Sequence, residues 1–271
     1  MPPVFLISFP FISTVCKSRF VILVSVYKTS GTDKVLKKIL IIKAGTKLPS
    51  LDNVAGDFED WILSAMDVPA VEADVVSVFE GFSLPHPSQC KAVVITGSDA
   101  MISGHSEWIE VCAIWLRDAV ESQIPVMGIC FGHQLLAYAL GGDVANNPAG
   151  IEAGSVEAIL TSEAANDLLL QGMDKMMVQA SHRQCVTRLP DGAVCLAKTS
   201  MDQYHAFRVG SYCWGLQFHP EFSANITRHY IQYYQADLQS AGRNTEDMMA
   251  ACVETLQARA CLKKFSKWVK T

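Results

Sequence analysis

The segment Ile124-Pro-Val-Met-Gly-Ile-Cys-Phe-Gly-His-Gln134 constrains this chain more than any other. An apolar strand runs into one cysteine, Cys130, which stands between Gly128 and Gly132. A helical run, Leu135-Leu-Ala-Tyr-Ala-Leu140, follows at once and ends at Gly141-Gly142. A strand that turns so sharply into a helix strains the backbone at the turn residue and leaves no room for side chains beside it, so glycine belongs at the flanks. The helix N-terminus directs free N–H groups and a partial positive charge at the sulfur, which favours the thiolate, the attacking species. The pattern predicts a nucleophile elbow with Cys130 in the place of serine. Buried cysteines are ordinarily small hydrophobes, and Cys112, Cys185, Cys195 and Cys213 fit that description within apolar or strand-like runs. The two glycines, the strand before and the helix after set Cys130 apart.

A cysteine nucleophile needs an acid/base partner, and that partner needs an orienting group. Of the seven histidines, His219 stands out in Trp214-Gly-Leu-Gln-Phe-His-Pro-Glu221. It ends a strand-like run, and Pro220 biases it toward an extended conformation. In an extended segment residues i and i+2 share a side, so Glu221 can reach the imidazole and hold its tautomer. The chemistry expected is a Cys130–His219–Glu221 relay.

These two motifs together resemble the class I glutamine amidotransferases. Gly128, Cys130, Gly132 and Gln134 match that family's elbow, and His219, Pro220 and Glu221 match its distant His-Pro-Glu. The likeness covers about residues 36 to 235 and in texture is nearest to the glutaminase half of GMP synthase. The resemblance implies an oxyanion hole built from backbone N–H groups near Gly97 and Ser98, in Val93-Val-Ile-Thr-Gly-Ser-Asp99, and from that of Phe131. Many relatives carry two glycines where this chain has Gly97-Ser98. The resemblance also implies that Gln134, Ser181 and His182 bind substrate, and that no cofactor or metal takes part. The reaction implied is hydrolysis of the glutamine side-chain amide through a cysteinyl thioester, giving glutamate and ammonia. The alternative within the same chemistry is a γ-glutamyl peptidase acting on glutathione-like amides. A non-enzymatic module on this fold is a third reading, disfavoured because Cys130, His219 and Glu221 are all present. The chain contains neither a Ser-Gly-Gly-rich pyrophosphatase loop nor a Walker-type phosphate loop, so a separate ATP-dependent synthetase subunit is the expected partner.

Composition narrows the alternatives. Half of the residues are hydrophobic and 18% are charged, ample for a buried core. A net charge of −5 with only short basic pairs such as Lys37-Lys38 and Lys263-Lys264 gives nucleic-acid binding no support. Nine cysteines without regular spacing or a Cys-x-x-Cys pair do not form a disulfide framework or a structural zinc site. That usage points to a reducing, cytoplasmic setting. The apolar runs Val4–Cys16 and Phe20–Tyr27 are separated by Lys17 and Arg19, and each is too short to span a bilayer. Residues 1–33 are read as an extension, 34–240 as the amidotransferase-like domain, and 241–271 as a helical segment packed upon it.

Strand-like and helical runs alternate from Val35 to Gly142, among them an amphipathic helix expected over Glu107–Val120 with Trp108, Val111, Cys112, Trp115 and Leu116 near one face; shorter strands follow, and then helices over Ile226–Leu238, Met248–Leu256 and Leu262–Val269. Strands that are continuously apolar apart from their lysines, such as Val35–Ile42, are expected in a buried parallel sheet. The fold class expected is α/β, a doubly wound, mostly parallel, flavodoxin-like sheet flanked by helices, with Cys130 at a strand's carboxyl end.

Overall fold

The computed structural model describes residues 37–271, which form one compact unit. The reading of residues 1–33 as an extension lies outside the described residues. In chain order the main elements are β1 (Lys38–Lys43), α1 (Phe58–Met66), β2 (Ala73–Ser77), β3 (Cys90–Ile95), α2 (Glu107–Glu121), β4 (Val126–Ile129) and α3 (Phe131–Ala139). There follow β5 (Asp143–Asn146), β6 (Glu152–Leu160), β7 (Lys175–His182), β8 (Gln184–Arg188), β9 (Ala193–Lys198), β10 (Ala206–Val209) and β11 (Cys213–Leu216). Four helices close the chain: α4 (Ala224–Tyr233), α5 (Gln235–Ser240), α6 (Thr245–Ala250) and α7 (Leu256–Lys270).

The nine-stranded sheet runs β2-β1-β3-β4-β11-β10-β9-β6-β7, and β5 pairs separately with β8. Strands β2, β1, β3, β4 and β11 are parallel, as the apolar runs predict. From β11 onward each pairing is antiparallel, so the mostly parallel centre carries an antiparallel wing.

Both faces of the parallel half are covered, because successive strand residues point to opposite sides. Ile39 and Ile41 pack under α1 and α7, whereas Leu40 and Ile42 pack under α2 and α3. Helix α1 begins with a reciprocal cap, Asp57 accepting from the first turn while Asp60 accepts from the Asp57 N–H. Helix α7 buries Ala258, Cys261, Leu262 and Phe265, one stripe at helical spacing. It is tied to α1 by Ser266 Oγ donating to the Met66 carbonyl at 2.6 Å. Among the described residues no helix is long and apolar enough to cross a membrane.

Several sequence expectations shift. On α2 the buried stripe is Ile109, Cys112, Ala113, Leu116 and Ala119, while Val111 faces solvent and Trp108 and Trp115 are half-buried. The single helix expected over Ile226–Leu238 divides at Tyr233–Tyr234. The helix expected over Met248–Leu256 stops at Ala250, where Arg228 takes the Met249 and Cys252 carbonyls at 3.0 and 2.9 Å. Those charge-assisted bonds satisfy backbone acceptors left at the helix end.

Candidate active site

Strand β4 delivers Cys130 at its carboxyl end, beside β11 on one side and β3 on the other. Its backbone is at φ 50°, ψ −103°, a conformation an L-residue adopts only under constraint. The constraint is visible in the flanking glycines. A Cβ on Gly128 would lie 2.2 Å from the Gly132 carbonyl oxygen, and one on Gly132 would lie 2.6 Å from that of Ile95. The Cys130 N–H donates to the Leu216 carbonyl at 2.8 Å, and its own carbonyl accepts from Gln134 N at 3.1 Å. The elbow is therefore locked on both sides. The sulfur lies 3.6 Å from the Ser181 carbonyl oxygen.

His219 follows β11 and is held by its N–H to the Gln179 carbonyl at 2.8 Å. Its Nδ1 is 2.7 Å from Glu221 Oε1, and both side chains are buried. The imidazole stacks on Phe222 with ring centroids 3.9 Å apart, and Phe58 of α1 lies at 6.2 Å in a near-parallel plane. A Cβ on Gly97 would come within 2.8 Å of His219 Cε1, so Gly97 lets β3 approach the ring. Burial alone would lower the His219 pKa. The negative charges of Glu221 and of the Cys130 thiolate beside it outweigh burial and push it up to about 10. Burial pushes the Cys112 and Cys213 thiols up to about 12 and that of Cys185 to about 11.

Two lobes meet at Cys130. The smaller, of about 110 Å³, is lined by Phe131, Gln134, His182, Arg183 and Gln184. The larger, of about 400 Å³, is lined by His219, Phe58, Tyr230, Lys47, Leu48 and Pro49. Ser98, Asp99, Ser181, Tyr233 and Tyr234 border both. Among the described residues no protein acceptor takes the N–H of Gly97, Ser98 or Phe131.

Of the expected substrate residues, Gln134 and His182 are held by side-chain hydrogen bonds to the protein. Gln134 Nε2 donates to the Gln184 carbonyl at 2.8 Å and to Gln217 Oε1 at 3.0 Å. His182 places Nε2 2.9 Å from Glu152 Oε2 and Nδ1 2.9 Å from the Gln184 carbonyl. Both ring nitrogens are engaged, so this imidazole acts as a strut behind the lobe. Ser181, in strand β7, has a buried hydroxyl without a hydrogen-bond partner. Glu152, His182 and His205 offer donor atoms within 4.8 Å of one another. Those atoms are already paired, His205 Nδ1 with Asp202 Oδ2 at 3.1 Å, so the donor set reads as a hydrogen-bonded network and not as a metal centre.

The sequence reading missed Phe58, Phe222, Lys47, Arg183 and the three tyrosines. Tyr230, Tyr233 and Tyr234 had a signal, their i, i+3, i+4 spacing, which puts them on one helical face. Phe222 and Arg183 directly follow the His-Pro-Glu and Ser181-His182 segments, whereas Phe58 and Lys47 come from segments without a motif.

A cysteine held at positive φ between strand and helix, with a buried His–Glu pair beside it on a mixed sheet, defines a cysteine-elbow α/β protein. The chain belongs to the class I glutamine amidotransferase family, whose model matches residues 66–235. It is 26% identical to a glutamine amidotransferase-like protein of Schizosaccharomyces pombe over 72% of this chain and 83% of that one. It is 31% identical to a subunit of the glutamine-hydrolyzing GMP synthase of Methanothermobacter thermautotrophicus over 51% of this chain and 73% of that one. Its fold matches that of a glutamine amidotransferase from Methylobacillus flagellatus with a TM-score of 0.68 and 24% identity, covering 87% and 95% of the two chains.

Proposed function

We propose that this protein hydrolyses the side-chain amide of glutamine through a cysteinyl thioester. The single observation that carries the reading is the strained Cys130 elbow beside a buried imidazole whose Nδ1 is 2.7 Å from Glu221. Cys130 is the nucleophile and attacks the amide carbon. The N–H groups of Phe131 and of Gly97 or Ser98 stabilise the oxyanion, a contribution of about 3–4 kcal/mol for a key donor. His219, oriented by Glu221, protonates the departing ammonia as the C–N bond breaks. It then takes a proton from the water that cleaves the thioester to glutamate and restores the sulfur. Gln134, Ser181 and His182 shape the smaller lobe, whose charged lining residues for the α-carboxylate and α-ammonium of a glutamyl group are Arg183, itself paired with Asp237, and Asp99.

The ammonia acceptor belongs to a separate ATP-dependent synthetase subunit in this reading. Support comes from the likeness to a relative named as one subunit of a GMP synthase. One observation favours a second reading, hydrolysis of γ-glutamyl peptides. The leaving group departs on the His219 side, where the lobe holds about 400 Å³. Ammonia needs about 30 Å³, the share of one water molecule in the liquid. The test is release of ammonia from glutamine, and of glutamate from γ-glutamyl dipeptides, by the purified protein. Turnover of neither, with or without a synthetase, would remove the hydrolytic reading.

A further inference from the structure

The larger lobe has a chemistry as well as a size. Its wall beyond His219 is apolar at Leu48, Pro49 and Phe58, and its charged lining residues are Lys47 and Asp99. Lys47 is the cation of that wall. The neighbouring carboxylates are already occupied, since Lys43 Nζ lies 2.8 Å from Asp57 Oδ2 and 2.7 Å from Glu59 Oε1. Asp57 Oδ1 accepts from the Lys47 backbone N–H at 2.8 Å, not from its side chain. Among the described residues no carboxylate lies within 4 Å of the Lys47 ammonium, which donates only to the Val54 carbonyl, at 2.6 Å. An ammonium carries three donors, so donor capacity remains for a ligand anion. Its half-buried position lessens the screening that weakens surface charges.

We propose that Lys47 is a specificity-determining residue that binds the carboxylate of an amino-acid or short-peptide leaving group in the larger lobe. This rests on the γ-glutamyl peptide reading of the same site. The substrate is then an amide in which the γ-carbonyl of glutamate is joined to the amine of an amino acid. Attack by Cys130 forms the S–C bond and breaks the C–N bond. His219 gives its proton to the departing amine, whose carboxylate stays against Lys47 until release. Water then breaks the S–C bond, giving free glutamate, with the proton returned to His219. Neither an oxidant nor a cofactor enters the balance.

The experiment compares kcat/KM of the wild type, Lys47→Gln and Lys47→Arg on three substrates: γ-glutamyl-alanine, γ-glutamyl-alaninamide and glutamine. A charge-assisted hydrogen bond corresponds to about tenfold to a hundredfold in kcat/KM. Lys47→Gln is expected to lose that factor on γ-glutamyl-alanine, chiefly through KM. It should act on the alaninamide and on glutamine as the wild type does, and Lys47→Arg should recover most of the loss. Equal cleavage of γ-glutamyl-alanine by wild type and Lys47→Gln overturns the role of Lys47 while leaving the peptide reading intact. A wild type that cleaves glutamine but neither γ-glutamyl amide overturns the peptide reading, and this assignment with it. Equal losses on all three substrates overturn the assignment too, because they would mark damage to the site as a whole.

Discussion

His219 and Glu221 stand two residues apart in the chain, with Pro220 between them, and their side chains meet at 2.7 Å in a buried pocket. The extended step expected across Pro220 is not what joins them: Pro220 and Glu221 are the middle of a turn closed by the Phe222 N–H donating to the His219 carbonyl at 3.3 Å, and that local turn folds the carboxylate back onto the imidazole. The partner, Cys130, arrives from a different strand, and the parallel pairing of β4 with β11 sets the approach.

Replacing Cys130 by alanine is expected to abolish turnover, by about 10⁶-fold or to background, while leaving the fold intact. Gln134 N, Leu216 O and the flanking glycines hold the backbone there, and none of them depends on the sulfur. Glutamate release with the thermal midpoint as control reads this out. Residual turnover near the wild-type level would remove Cys130 as the nucleophile.

Glu221→Gln keeps the volume and removes the charge. It is expected to lower kcat by about 10³–10⁴-fold and to slow alkylation of Cys130 by iodoacetamide near neutral pH. The pH dependence has a definite sign. The His219 pKa is raised from 6.5 to about 10 in the fold. Its contribution to stability is therefore whole below about pH 6.5 and is lost as pH rises through about 10. The difference in thermal midpoint between wild type and His219→Asn should shrink over that window. A difference that grows with pH would mean that the imidazole is not held protonated by its neighbours.

Gly128→Ala tests the elbow's sterics separately from its chemistry. The added Cβ meets backbone atoms of Gly132 at 2.2 and 2.4 Å, which no side-chain rotation can relieve. A loss of at least about 3 kcal/mol is expected, or about 6–12 °C in thermal midpoint. A midpoint within 2 °C of the wild type, measured by calorimetry, would show that the helix can retreat from the strand at no cost (roughly a kcal/mol or less).

How much of this was legible follows from the kind of constraint each residue obeys. The elbow and the His-Pro-Glu were readable because their geometry is local: two glycines, a cysteine, a proline. The parallel strands were readable from unbroken apolar runs such as Ile39-Leu-Ile-Ile42 within β1. The small ribbon of β5 and β8 was not, because Asp143–Asn146 is short and largely exposed, without apolar alternation. Nor was the extent of β6 and β7. Glu152 and His182 lie in paired strands and bond to each other at 2.9 Å, a long-range pairing of two polar residues that no periodicity reveals. The larger lobe is assembled from the segment after β1, from α1 and from α4, and only the folded chain brings those together.

His133 gives a prediction about acid stability that no catalytic residue confounds. It lies in α3, fully buried, with its ring centroid 4.9 Å from that of Phe207. Burial pushes its pKa from 6.5 down to about 3, because the charged imidazolium has no water to solvate it. Unfolding therefore takes up a proton wherever the pH lies between those two values. The sign follows from linkage: a depressed pKa gives stability that is whole above about pH 6.5 and is lost progressively as pH falls through about 3. Urea midpoints for wild type and His133→Leu, taken at pH 7.5, 5.5 and 4.5, should diverge. The wild type is expected to weaken steadily toward acid, while the leucine variant follows a flatter course. Burial would raise the pKa of Asp202, but His205 and the neighbouring histidines outweigh it and hold the carboxyl down to about 2. That group adds a further loss only below about pH 4, outside the range measured. Parallel curves for the two proteins down to pH 4.5 would mean that His133 is protonated inside the fold, with its charge compensated by the acidic network behind β7.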